Sequence, residues 1–368
     1  MHLRLSRLKS RSAAARFLLS PVQIKESLVV VNQPGFRNST LAGVQVAVTA
    51  LVVLPLIQLS AFSHLIGFAS LGTLVALFGR FAPPARRSLT VFLCLLCQTA
   101  TVFVMSMVAW SGVPMIGQLA ILALICGTLF YIANVGDFGP PGALIFIFAA
   151  SVSMGQVTEF SVVLERSGAT AAAAALAWLV VMLTEMFRHD SPVMVDWFKN
   201  RPLSHQLIVV GRMVLGAAVA AYAAHGFGGK HAGWAAMGAV AVLQGSHLHI
   251  SMSRALQRTG GNVLGATLVA LLLMTQPSVW TIIALVAALS FATEAIIGSN
   301  YGLGQILVTP MALLMSYLAA PDLTGIAMAQ ERVVDTLIGT AVGITCAIVF
   351  STLDDRANLL THHIKRAR

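Results

Sequence analysis

Of the charged residues within the chain's long apolar runs, Arg212 and Glu294 are the clearest candidates for chemistry. Arg212 stands about six residues into "HQLIVVGRMVLGAAVA", and Glu294 lies near the end of another run, in "SFATEAIIG". A charge at the centre of a bilayer costs about 2.5–3.5 kcal/mol on insertion scales, so each needs a reason to be there. A guanidinium inside a helix bundle binds an anion, or else extends its methylene stem back to the headgroups. A carboxylate in apolar surroundings gains affinity for a proton and can carry a coupling ion, or else it forms a structural ion pair. Arg212 is thus a candidate for balancing substrate charge and Glu294 for proton coupling. Asp335, one turn beyond Arg332, is a second coupling candidate.

Two interrupted stretches offer a place for a ligand: "YIANVGDFGPPGAL", Tyr131 to Leu144, and "GSNYGLGQILVTP", Gly298 to Pro310. Glycine and proline break helical hydrogen bonding, and broken backbone at membrane depth survives only inside protein or beside a water-filled cavity. Paired interruptions point to a transporter's substrate site; two ordinary turns are the plain alternative. The substrate-binding candidates here are Tyr131, Asn134, Gly136, Phe138, Asn300, Tyr301 and Gly302. The helix starts that follow direct N–H groups to the same region and suit a carboxylate. Two Glu–Arg pairs, Glu165–Arg166 and Glu331–Arg332, open apolar runs and read as interhelix clamps or an outer gate.

Other chemistry is not signalled. Cys94, Cys97, Cys126 and Cys346 all lie in apolar runs and read as packed thiols rather than metal ligands. His64, His231, His247 and His249 fall near run ends, where solvation accounts for them. No nucleotide-binding loop, nucleophile elbow or metalloprotease pattern occurs, so neither an enzyme nor a metal or cofactor is expected.

The elements that must position these groups follow from composition. Of 368 residues, 57% are hydrophobic and 10% charged, against roughly 25% charged in soluble domains. Such a chain uses lipid as its solvent. The expected fold class is all-α, a polytopic bundle of about twelve spans. The runs are 41–60, 62–79, 88–110, 113–134, 141–157 and 167–187, then 206–225, 231–246, 260–276, 278–299, 305–320 and 333–352. The second, fifth and eighth are short for a hydrocarbon core of about 30 Å. The expected organisation is a basic arm at 1–39, one six-span unit at 40–187, a linker at 188–204 with Trp197 as interfacial anchor, a second unit at 205–353, and a basic tail at 354–368.

The net charge of +10 follows this topology. Arg80, Arg86, Arg87, Arg188, Lys199, Arg201, Arg254 and Arg258 join the arm and tail on one side, against Arg166, Lys230 and Arg332 on the other. The positive-inside rule makes the first side cytoplasmic, with both termini there. The charge is therefore a topology signal rather than a nucleic-acid footprint, and the arm is expected to lie on anionic lipid headgroups.

The chain also repeats. Gly67, Gly72 and Gly79 recur as Gly233, Gly238 and Gly245, 166 positions on. The same offset pairs Asn134 with Asn300, Gly136 with Gly302, and one Glu–Arg pair with the other. Rare polar residues agreeing at one offset indicate a tandem duplication. Six spans per unit would make the units parallel, related by an axis along the membrane normal. Gly72, Ala76 and Gly79 are expected to form one small-residue stripe for close helix contact.

The segments "SRALQRTGGNVLGATLVALLL", Ser253 to Leu273, and "ERVVDTLIGTAVGITCAIVF", Glu331 to Phe350, resemble the fusaric acid resistance/aromatic acid exporter superfamily. The likeness rests on Arg254, Arg258, Gly265, Arg332, Asp335 and Gly339. It implies a multi-pass transporter of the bacterial inner membrane that exports small organic anions such as aromatic carboxylic acids, driven by the proton gradient. It also leaves room for a periplasmic adaptor or a homo-oligomer as partner. Many relatives carry a large soluble domain between membrane halves, where this chain has a short linker. Plant malate channels are similar at fold level, which makes an organic-anion channel the first alternative. A non-transporting scaffold subunit of an envelope complex is the second.

Overall fold

In lipid every backbone N–H and C=O needs a partner within the chain, and a helix supplies one from an isolated apolar run. The computed structural model describes residues 11–33, 35–189, 198–245, 247–319 and 325–366, and among these it holds helices and no strand. Trp197, parts of the linker, and the extremes of the arm and tail lie outside the described residues.

Helices α1 (Arg11–Leu18) and α2 (Pro21–Ser27) precede the first set. That set is α3 (Phe36–Gln58), α4 (Ile66–Thr73, continued by a 3-10 turn Leu74–Leu77), α5 (Pro84–Trp110), α6 (Met115–Val135), α7 (Leu144–Val152) and α8 (Phe160–Leu183). The second set is α9 (Leu203–Gly226), α10 (Gly233–Leu243), α11 (Leu248–Met274), α12 (Val279–Ile296), α13 (Tyr301–Ala319) and α14 (Gly325–Val349). An amphipathic α15 (Leu353–Arg366) follows.

Eight helices, α3, α5, α6, α8, α9, α12, α13 and α14, are long and apolar enough to cross a membrane. The protein is a polytopic helical membrane protein. Large apolar side chains such as Leu51, Leu124 and Leu268 are more than half exposed, as lipid-facing positions should be. The short helices differ. Every residue of α4 and its 3-10 turn is buried, as is α10 from Gly233 to Val242. At 1.5 Å per residue the 11-residue α10 extends only about 16 Å, roughly half the hydrocarbon core. These two helices are enclosed by longer ones and end within the thickness of the bundle.

Packing between helices recurs across the two sets. Helix α4 packs on α8 as α10 packs on α14, and α5 packs on α8 as α11 packs on α14. Contacts between the sets are reciprocal: α3 lies on α12 and α9 on α6, while α4 lies on α13 and α10 on α7. Close approach depends on small residues. A Cβ on Gly72 would stand 2.6 Å from Ala173 Cβ, and one on Gly238 would stand 3.3 Å from Gly339 Cα.

Two expectations change. Gly79 lies beyond the helical segment at φ +77°, so the expected stripe ends at Ala76 and Gly79 instead turns the chain. Helices α8 and α14 start earlier than the apolar runs, at Phe160 and Gly325, so both Glu–Arg pairs lie inside helices rather than at their openings. A run bounded by hydropathy stops at charged residues. The helix continues through them because they are partnered: Glu165 meets His64 at 3.1 Å and Glu331 meets His231 at 2.6 Å.

Candidate functional site

Because α4 and α10 stop short, the residues after them fall inside the bundle rather than outside it. A cavity of about 1130 Å³ opens there between the two helix sets, somewhat above the usual ligand-pocket range of about 300–1,000 Å³. Its charged lining consists of six cations, Arg80, Arg87, Lys199, Arg254, Arg258 and Arg332, and two carboxylates, Asp137 and Glu294. The linker and the N-terminal segment lie on the same side, since Lys199 pairs with Asp137 and Gln33 Nε2 donates to the Glu294 carbonyl at 3.2 Å.

Three of the cations have carboxylate partners. Arg80, placed by the Gly79 turn, pairs with Glu294 of α12, and both are nearly fully buried. Arg87 pairs with Glu185 and also donates to the Ala82 carbonyl at 3.0 Å. Beside it Arg188 donates to the Gly79 carbonyl at 3.3 Å and so supports the turn. Burial and the neighbouring Arg87 push its guanidinium down to about 10, still charged at neutral pH.

The other group is different. Arg258 and Arg332 are 3% and 1% exposed, and among the described residues neither forms an ion pair. Arg258 donates to the Tyr301 hydroxyl at 3.0 Å, and its Nε has no partner. Arg332 donates from Nε to Asn262 Oδ1 at 3.3 Å and lies over the Trp234 ring at 5.1 Å, while its Nη1 is unpartnered. Asn262 also accepts from Thr309 at 2.8 Å, and Gln305 lies next to it. This polar floor joins α11, α13 and α14. Burying a cation without a direct carboxylate partner costs several kcal/mol; both guanidiniums face the cavity, and buried Asp335, one helical turn from Arg332, is the nearby opposite charge. Arg254, half buried, adds a third cation above them.

The sequence-derived candidates separate. Asn134, Phe138, Tyr301, Glu294 and Arg332 line the cavity; Tyr131, Gly136, Asn300, Gly302 and Arg212 are not among its lining residues. Tyr131 packs edge-on against Phe198 at 6.1 Å. Asn300 caps α13, accepting from Gly302 N at 2.8 Å and Leu303 N at 3.2 Å, and donates to the Ser27 and Val29 carbonyls. Gly136 leaves room for the Phe138 ring, and Gly302 lies against Gln257 and Asn300. Arg212 donates to the Phe350 carbonyl and ties α9 to the end of α14. Asp335 is buried with one unpartnered carboxylate oxygen, near the Glu331–His231 contact. Arg166 lies over the Phe68 ring at 4.7 Å, outside the cavity lining.

The expected interruptions are unequal. Residues 136–143 form a true break with left-handed backbone at Asp137, Gly139 and Gly142. The second is a short turn after Ile296, and α13 then runs unbroken through Pro310. Arg254, Arg258 and Arg332 also differ from the loop positions assigned to them, because α11 and α14 extend through them and turn them into the cavity.

Sequence reasoning did not single out Asn262, Gln305 and Thr309. The signal was present, since 258 and 262, like 305 and 309, are one helical turn apart and share a face. Aromatic wall material was also overlooked: Phe78 stacks on Phe146 at 5.1 Å, and Phe138 stands edge-on to both.

Among the described residues, no cluster of His, Cys, Asp and Glu is arranged to hold a metal. Comparison with curated proteins and with solved structures finds no match. A family match does exist, to the family described as fusaric acid resistance protein-like, and it spans α9 into α14. The match covers residues 217–346, a stretch that includes Arg254, Arg258, Asn262 and Arg332, and it makes this part of the chain similar to the fusaric acid resistance protein-like family.

Proposed function

We propose that this protein is an exporter of small organic anions, aromatic carboxylates among them, across the bacterial inner membrane. The observation that carries the reading is the pair of buried guanidiniums of Arg258 and Arg332, neither held in a direct ion pair among the described residues, lining a large cavity between the helix sets. A carboxylate fits because it accepts two N–H bonds from an arginine fork and removes the cost of the unpaired charge. Phe138 on the wall, backed by Phe78 and Phe146, gives a ring an apolar face.

The recurring contacts at the 166-residue offset support two like-facing six-helix units, of which the short helices do not cross the membrane, about an axis along the membrane normal. In that arrangement the cavity lies between the units and faces the cytoplasm, and rocking of the units would release the anion on the far side. Glu294, and then Asp335, carry the coupling proton. Both Glu–Arg pairs brace the far side through His64 and His231.

The test is flux in proteoliposomes. Labelled benzoate should cross in a saturable manner, and Arg258→Gln with Arg332→Gln together should remove that flux. Large non-saturating electrical currents would favour the channel, and flux unaffected by the double substitution would refute the site.

A further inference from the structure

The cations of the cavity exceed the charge of a monocarboxylate. Arg80, Arg87 and Lys199 each have a carboxylate partner, in Glu294, Glu185 and Asp137. Arg254, Arg258 and Arg332 line the same cavity, and among the described residues none of the three forms an ion pair. Asp335, one helical turn from Arg332, offsets one of them. Two positive charges are left on this wall. We propose that the site takes a doubly charged organic anion, an apolar body with an acidic group at each end. One carboxylate lies between Arg258 and Arg332, and the other meets Arg254. The inference rests on the reading of the cavity as an organic-anion site and specifies the charge of its ligand.

Helix α11 sets the two ends. Residues 254 and 258 are one turn apart on one face, so their side chains start about 6 Å apart along the helix axis. Arg258 and Arg332 are both buried and near enough to repel each other, so they share the deeper end. Arg258 Nε and Arg332 Nη1 have no protein acceptor. Half-buried Arg254 forms the outer end. Tyr301 stands among the three: its hydroxyl accepts from Arg258 at 3.0 Å, and it lies within electrostatic reach of Arg254 and Arg332.

A monoanion leaves this site unbalanced. One carboxylate at Arg258 and Arg332 still leaves a cation in excess, which costs more in a low-dielectric interior than in water. A second acidic group on the same molecule removes that excess, and the link between the groups makes the second contact intramolecular. Two separate monoanions lack this advantage. The body between the charges is organic, because Leu77, Phe130, Phe138, Phe148, Met237 and Met311 make an apolar wall that a compact inorganic dianion would leave uncovered.

Calorimetric titration of the purified full-length protein at neutral pH and fixed ionic strength compares terephthalate, its monomethyl ester and sulfate. The first two share ring and length and differ by one charge. Wild type should bind one terephthalate per chain, at least about tenfold tighter than the ester, the scale of one charged hydrogen bond, and tighter than sulfate. Arg254→Gln should bring terephthalate and ester within about threefold of each other, while Arg254→Lys should keep them further apart than that. Ester binding as tight as terephthalate binding in wild type overturns the proposal, and needs no variant to fold. A preference undiminished in Arg254→Gln also overturns it, as does sulfate binding equal to that of terephthalate. The anion-site reading has its own arm: no binding of either aromatic acid by wild type, or binding that survives Arg258→Gln with Arg332→Gln, refutes that reading and with it this inference.

Discussion

Arg332 and Arg166 occupy matching places 166 positions apart, and each lies over an aromatic ring of a short buried helical segment, Trp234 at 5.1 Å and Phe68 at 4.7 Å. Their further surroundings diverge. Arg332 has Asn262 and Arg258 beside the cavity, where the matching positions in the first set are Leu96 and Phe92. The same local geometry thus faces the cavity, the proposed anion site, in one set and lies outside it in the other. Arg332→Gln should weaken benzoate binding by at least about tenfold, the scale of one charged hydrogen bond, while Arg166→Gln should change it by less than about threefold. Equal losses in the two variants would contradict this division.

Helix crossings supply a second prediction. A Cβ on Gly339 would stand 3.0 Å from Gly238 Cα, whereas nothing lies within 4 Å of the same position on Gly168 or Gly260. Gly339→Val should cost about 1–3 kcal/mol through overpacking and lower the melting temperature in detergent. Gly168→Ala and Gly260→Ala should leave it unchanged or higher, because alanine favours the helix by about 1 kcal/mol over glycine. Thermal melts of the three variants decide the matter.

Much of this architecture was legible in the sequence. Apolar runs become helices because lipid leaves the backbone no other partner, and every expected run falls on a helical segment. At both Glu–Arg pairs the glutamate meets a histidine and the arginine an aromatic ring. The site was less legible. Arg80, Arg254 and Arg258 read as loop charges because hydropathy treats a short run as a complete span. Helices α4 and α10 are too short for that, so the charges that follow them face inward. Arg212 drew attention by interrupting an apolar run, yet its guanidinium is used on the Phe350 carbonyl. Run length was the better guide than charge within a run.

The proposed parallel arrangement of the units makes a topological prediction. Single cysteines at Ser111, after α5, and at Thr275, after α11, are exposed and occupy matching turns on the side opposite the linker. Both should react with an impermeant maleimide from outside intact cells, in a background with Cys94, Cys97, Cys126 and Cys346 replaced. A cysteine at Asp354, at the start of α15, should react only after permeabilisation. Opposite sidedness for Ser111 and Thr275 would mean inverted units.

The most direct measurement is a structure of the protein with 4-bromobenzoate, whose heavy atom marks its position. The account predicts the carboxylate between the guanidiniums of Arg258 and Arg332, within hydrogen-bond distance of both, and the ring towards Phe138. Bromine density outside the cavity, with those arginines still unoccupied, would contradict it.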